Sequence, residues 1–414
     1  MLAFKRLRLS PEDLLERARR NAGLTDFGDT PFLEGLQRLL QACNDEADLS
    51  LFGVLGTRWD VVRFLSNLLR LREHENRTPE ILDQPIERPI FITGVPRAGT
   101  TYLHQLLMND PMNRVPRVWQ LIHPYPTART GRQPDRRIQQ VARQLKMFKL
   151  LAPEFRNLHP IEATSPQECS EITAHVFASL RFDTNYFVPS YRQWIDGTGH
   201  LEAYRFHKRF LQHLEHQTAG AGRWVFKCPD HVFALAAIRA VYPDARLVFV
   251  HRNPVDVLLS VTRLTEVLRR PFTRHLDQAQ LGRDISERWL AGTDLMIEAA
   301  DQEPFADPIF HLEYRELVGD PLRAVKKLYD HFDLDLPHDT AHRIQQLTEG
   351  QPDGRYTGSH RYSLETYGIS ADVQRERYRR YMTHFDISQE SQPPHRRPSR
   401  PQSLVTNPRP EPAD

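Results

Sequence analysis

Cysteine is scarce and scattered in this chain: three residues, Cys43, Cys169 and Cys228, in 414. No two stand at metal-ligand spacing, which argues against a disulfide framework and a zinc site and leaves inert, buried thiols as the expectation. Long apolar runs are missing too. Nowhere do about 18 consecutive apolar residues occur, so no membrane-spanning helix is expected, and the basic stretch Met1–Ser10 lacks the apolar segment of a secretion signal. The expected setting is the cytoplasm. Net charge is nearly absent, at +2. A chain so balanced is not built to hold nucleic acid by bulk attraction, and any anion recognition must be local. What is present, 40% hydrophobic residues, suffices for a sizeable core.

From about residue 10 to 82 apolar residues recur at a spacing of three and four: Leu14, Leu15 and Ala18, then Phe32, Leu36, Leu39 and Leu40, then Val61, Phe64, Leu65, Leu68 and Leu69. The spacing predicts a helical N-terminal extension over residues 1–85. After the proline-bearing stretch Thr78–Pro89 the texture changes to short β-branched and aromatic runs separated by helical segments: Pro89–Val95, Arg223–Lys227, Arg246–His251 and Ile309–Tyr314. Continuous apolar runs of this kind are strands of a parallel sheet covered on both faces. Residues 86–390 are therefore expected to form a three-layer α/β domain. An insertion of about residues 120–222 is rich in aromatics (Phe177, Phe182, Tyr186, Phe187, Tyr191, Trp194) and is expected to roof the active edge of the sheet, although core packing explains the same rings. Residues 391–414, with seven prolines and several arginines, read as a disordered tail.

Chemistry concentrates at the strand ends. The segment from Pro89 through Gly94-Val-Pro-Arg97-Ala98-Gly99-Thr100-Thr101 reads as strand, glycine-bounded loop and helix, which aims backbone N–H groups and the positive helix end at one ligand. That ligand should be an anion. The two glycines stand at the spacing of a nucleoside-triphosphate loop, yet Thr100 follows Gly99 where such a loop places lysine. The cation is Arg97 instead, which disfavours a magnesium-bound β/γ-phosphate and suits a single 5′-phosphosulfate. A second strand end carries Arg252, with Asn253-Pro254 as N-cap and first helical residue and Ser260 about two turns on; an arginine and a serine so placed can hold a terminal phosphate. A third, Trp224-Val-Phe-Lys227-Cys-Pro-Asp230-His231, puts a compact cation where the chain leaves the sheet, suited to an oxygen that gains charge. The plain readings are a glycine-bearing turn, a capped helix with a solvated arginine, and a surface lysine before a proline turn.

Gly94-Val-Pro-Arg97-Ala98-Gly99-Thr100-Thr101 resembles the 5′-phosphosulfate loop of sulfotransferases, in the form carried by the tyrosylprotein sulfotransferases and a broad group of bacterial relatives. Arg252 and Ser260, eight positions apart, resemble the 3′-phosphate motif of the same superfamily, and Lys227 aligns with a lysine that the tyrosylprotein enzymes carry in a Lys-Asp-Pro setting. The resemblance covers about residues 20–370. It implies a P-loop-like fold and transfer of a sulfuryl group from 3′-phosphoadenosine 5′-phosphosulfate (PAPS) to a hydroxyl of a small-molecule or lipid acceptor, without a metal. Arg97, Ala98, Gly99, Thr100, Thr101, Arg252 and Ser260 would bind the donor, and Arg97 and Lys227 would serve catalysis, Lys227 at the bridging oxygen. Gly354–Arg361 reads as a basic flap over the nucleotide or as a simple turn.

The base is harder to read. Residues 111–123 contain no acid, and Gln120 stands where related bacterial sequences often have glutamate. Ser165-Pro166-Gln167-Glu168 matches a capping box with proline at the first helical position, so Glu168 is expected to satisfy backbone amides. Glu171 and His175, four apart, could form a carboxylate–imidazole pair on one helix face. His123 is another candidate, and His104, among Leu103, Leu106 and Leu107, reads better as a core-edge residue. Two rivals stay open: a P-loop kinase or triphosphatase, and a nucleotide-binding protein without catalysis.

Overall fold

All four expected strands form, and a fifth of two residues joins them. The computed structural model describes residues 8–125, 135–151, 162–218, 222–302, 308–349 and 363–387; the Gly354–Arg361 segment and the tail 391–414 lie outside them. Strands β1 (Ile90–Gly94), β2 (Asn113–Arg114), β3 (Arg223–Lys227), β4 (Arg246–His251) and β5 (Phe310–Glu313) make one parallel sheet in the order β2-β3-β1-β4-β5. β2 has no apolar run to announce it; it exists because the Arg223 N–H donates to the Met112 carbonyl (2.8 Å) and starts a short ladder.

Side chains along each strand alternate between two cores. Phe91, Phe226, Leu247 and Phe249 face one side, and Ile90, Ile92, Val225, Val248 and Val250 the other. The N-terminal helices α1 (Pro11–Ala22), α2 (Phe32–Asp45) and α3 (Leu51–Arg77) share the first core through Leu14, Leu36, Leu39, Phe64 and Leu65. Helix α4 (Thr100–Leu107) covers the second through Leu103, Leu106 and Leu107, beside the helix Pro321–His331. Helices on both faces of a parallel sheet are the three layers that the sequence implies.

The aromatics of the insertion turn inward to α2 and α3 instead of roofing the sheet. Phe177, Phe182, Tyr186 and Tyr191 are all buried. Phe177 lies 6.2 Å from Phe32 and from Phe64, edge-on to the latter, and the Tyr191 hydroxyl donates to the Phe177 carbonyl at 2.9 Å. Each such ring stabilises the fold by about 1.5–3 kcal/mol through burial alone, so the insertion is anchored on the helices that precede the sheet.

A four-membered charge cluster completes that anchor. Arg63 of α3 donates to Asp60 (2.8 Å) and to Glu171 of the insertion (2.6 Å), while Arg181 meets Asp60 (2.7 Å) and Glu171 (2.9 Å). Two carboxylates and two guanidiniums thus neutralise one another in a largely buried setting. Removing one member leaves a buried charge uncompensated. Glu171→Ala is therefore expected to destabilise the protein by about 3–5 kcal/mol, read from urea unfolding, whereas an equally truncating change at exposed Glu202 should cost under about 0.5 kcal/mol.

Candidate active site

The close approach of β1 and β4 creates the loop site. Gly94 pairs with Val250 across the two strands; it has φ +148°, and a Cβ there would stand 2.2 Å from the Val250 carbonyl oxygen. Only glycine fits. Gly99, at φ +96°, has the same constraint from the Tyr314 ring, 2.9 Å from where a Cβ would lie. Between them Arg97 adopts φ +69°, a left-handed conformation unusual for a branched chain of this size and the kind of strain that collects at ligand sites. Ala98 packs fully buried beneath, Thr100 is buried at the first position of α4, and Thr101 faces outward.

The loop and the β4 tip interlock. Arg97 Nε donates to the Ser260 hydroxyl at 3.1 Å, and Arg252 Nη1 donates to the Arg97 carbonyl at 2.9 Å. The Arg252 guanidinium lies 4.0 Å over the Tyr314 ring, a cation–π contact that fixes its plane. Asn253 caps the helix Pro254–Arg269, its side chain accepting from Val255 N–H at 3.0 Å, so Arg252 is held just ahead of a positive helix end. Arg97, Arg252 and Ser260, 163 positions apart at the extremes, thus share one site.

Lys227 stands at the neighbouring tip. β3 pairs with β1 so that Lys227 lies opposite Ile92, two residues before Gly94, and the Thr93 hydroxyl donates to the Pro229 carbonyl (3.0 Å) to hold the following turn against β1. Lys227 is buried, and its ammonium donates to the Glu168 carboxylate. Glu168 does not cap a helix. Ser165 and Gln167 are drawn into pairing with residues 116–118, through Val118 N–H to Ser165 O (3.0 Å) and Gln167 N–H to Pro116 O (2.9 Å), and the next helix begins only at Ser170. The capping expectation fails because this tertiary ladder holds the chain extended through Pro166, leaving the Glu168 carboxylate to meet Lys227.

The other base candidates sit elsewhere. Glu171 is committed to Arg63 and Arg181. His175 does not meet its carboxylate: Nδ1 donates to the Glu171 and Ile172 carbonyls (3.0 and 3.2 Å) and Nε2 accepts from Asn67 (3.0 Å), because the helix tightens after Thr173 and turns the ring back on the chain. Burial holds its pKa down at about 3, the Arg63 charge adding to the effect. His123 lies among Arg63, Arg70 and Arg137; burial and those cations lower it to about 4, and its Nε2 is buried without a hydrogen-bond partner. His104 is a core residue, as its leucine neighbours imply, with Nε2 donating to the Val225 carbonyl at 3.1 Å. Gln120 caps its own helix, its amide oxygen accepting from Arg117 N–H at 2.9 Å.

One titrating group had no role in the sequence reading. Asp230, in the turn after β3, has its pKa raised to about 7 by burial and then by the nearby Glu168 carboxylate, with Arg288 opposing. Its signal in the sequence is its place three residues beyond Lys227.

A model of the sulfotransferase family matches residues 89–338, more than half of the chain. The chain is 24% identical over 301 residues to omega-hydroxy-beta-dihydromenaquinone-9 sulfotransferase Stf3 of Mycobacterium bovis and of Mycobacterium tuberculosis, covering 68% of this chain and 71% of theirs. Among solved structures it resembles sulfotransferase STF9 from Mycobacterium avium (27% identity, TM-score 0.81, 92% of this chain and 97% of that one) and sulfotransferase STF1 from Mycobacterium tuberculosis H37Rv (28%, 0.77, 90% and 98%). The family match over residues 89–338, on a fold shared with these enzymes, places the chain in the sulfotransferase family.

Proposed function

We propose that the protein transfers the sulfuryl group of PAPS to a hydroxyl of a lipid-like acceptor, with Glu168 as the base and Lys227 as the cation at the bridging oxygen. The Lys227–Glu168 pair beside the interlocked Arg97 loop carries this reading. In this reading Arg97, Ala98, Gly99, Thr100 and Thr101 grip the 5′-phosphosulfate, at the loop that opens a helix. Arg252 and Ser260, which meet Arg97 directly, hold the 3′-phosphate of the same nucleotide in this reading. Glu168 takes the acceptor proton as the acceptor oxygen bonds to sulfur, the bond from sulfur to the bridging oxygen breaks, and Lys227 stabilises the negative charge that gathers on adenosine 3′,5′-bisphosphate. A pair already in contact suits this sequence, because the carboxylate, on taking the proton, releases the ammonium toward the leaving oxygen. The hydroxylated menaquinone derivative in the name of the Stf3 relatives supports an acceptor with an apolar body.

The test is label transfer from radiolabelled PAPS to a panel of isoprenoid alcohols, quinols, phenols and tyrosine peptides, with and without a chelator. Transfer to the apolar alcohols that survives chelation is the expected result; ATP hydrolysis dependent on magnesium would favour the kinase rival. Glu168→Gln should lower kcat by about 10²–10⁴-fold while calorimetric affinity for adenosine 3′,5′-bisphosphate stays unchanged, and Arg97→Ala should abolish that affinity.

Asp230 sets a pH limit. Its raised pKa means that it is neutral below about 7 and adds a second negative charge beside Glu168 above it, where charge is already developing on the leaving oxygen. kcat is expected to fall as pH rises through 7, and Asp230→Asn to extend the plateau upward. The sign for stability is the same: a carboxyl whose folded pKa exceeds its unfolded value costs stability as pH rises from about 4 through 7. The melting-temperature gain of Asp230→Asn over the parent protein should therefore grow across that window and level off beyond it.

A further inference from the structure

Helix α3 exposes an apolar stripe at its start. Leu51, Leu55 and Trp59 follow one face at four-residue spacing and are 58%, 53% and 56% exposed, with Phe52 at 39% beside them. Phe52 packs at a tilt, 5.6 Å between ring centres, against Phe272 of the neighbouring segment, which is tied to α3 by Ser50 N–H donating to the Phe272 carbonyl at 2.8 Å. Four large apolar side chains on one outward face are too many for a chance surface feature. The rim is cationic. Arg58 of α3 donates to the Arg8 carbonyl, and Arg8, Arg270 and Arg274 are half or more exposed; Asp45 and Asp48 pair with Arg8 and Arg274, whereas Glu266, the partner of Arg270, is fully buried and leaves the guanidinium as the outward charge.

The stripe also leads to the reaction centre. Arg63 lies 5.5 Å over the Trp59 ring and bonds Glu171, whose N–H donates to the Glu168 carbonyl at 3.2 Å. We infer that the Leu51–Trp59 face docks the enzyme on an anionic membrane surface, so that an acceptor whose apolar body stays in the bilayer can present its hydroxyl to Glu168. This inference rests on the proposed lipid-like acceptor. Leucine and tryptophan with Arg58 and Arg270 nearby in the fold match the interface between acyl chains and acidic headgroups, the apolar part supplying depth and the cations attraction.

The experiment is co-sedimentation of the full chain with vesicles of phosphatidylglycerol and phosphatidylcholine in equal parts, against phosphatidylcholine alone. Binding to the acidic vesicles that weakens at least tenfold in the double variant Leu55→Glu, Trp59→Glu supports docking, provided that the variant still takes up adenosine 3′,5′-bisphosphate. Light scattering decides the competing use of the face: a parent dimer that the same variant turns into a monomer overturns the proposal in favour of self-association. Failure to bind either vesicle, while PAPS-dependent transfer to a short water-soluble alcohol proceeds, overturns the docking and leaves the sulfotransfer reading intact. Vesicle binding with no transfer to any acceptor does the reverse.

Discussion

The geometry rests on one contact between backbones, β1 at Gly94 against β4 at Val250. Two parallel strands can end side by side only if the turn leaving one does not strike the other, and here a single methyl group would strike it. Because Gly94 has none, the loop folds over the β4 tip, Arg252 reaches the Arg97 carbonyl, and Arg97 reaches Ser260. Three side chains from distant parts of the chain come together without any of them needing a long loop. The same register sets Lys227 just beside the loop, since β3 lies on the opposite flank of β1.

The Glu168 side of the site has a different foundation. Glu168 belongs to the insertion, and the insertion is held by aromatic burial against α2 and α3 and by the Asp60, Arg63, Glu171 and Arg181 cluster. Both supports are tertiary and both involve the N-terminal helices. Those helices share a core with the sheet, which explains how a carboxylate 59 positions from its lysine is kept at bonding distance in a segment that is neither helix nor strand.

The parts legible in the sequence were those specified locally. Strand ends at Gly94, Lys227 and His251, the Asn253 cap and the helix after Gly99 all follow from patterns a few residues long, and the structure places them within a residue or so of the reading. Glu168 shows why the rest was not. Ser-Pro-Gln-Glu satisfies a local capping pattern, yet the backbone partners that won, Pro116 and Val118, are about fifty positions away. Glu171 and His175 stand four apart, but a four-residue helix that tightens at Ala174 does not keep the side-chain spacing of a long one. The insertion aromatics were ambiguous for a related reason, since a ring over a cleft and a ring in a core have the same sequence signature until the opposing surface, here Phe32 and Phe64, is known.

The ladder between residues 116–119 and 163–167 separates two halves of the chemistry. The Arg97 loop is welded to strand tips where even one added carbon is refused, whereas Glu168 rides on a platform joined to the sheet through pliable contacts between side chains. Natural variation can therefore remodel the platform while the glycine-bounded loop beneath stays fixed, which under the proposed roles would change the alcohols admitted and leave the nucleotide cradle alone. An enzyme built this way can diversify its products without relearning its co-substrate.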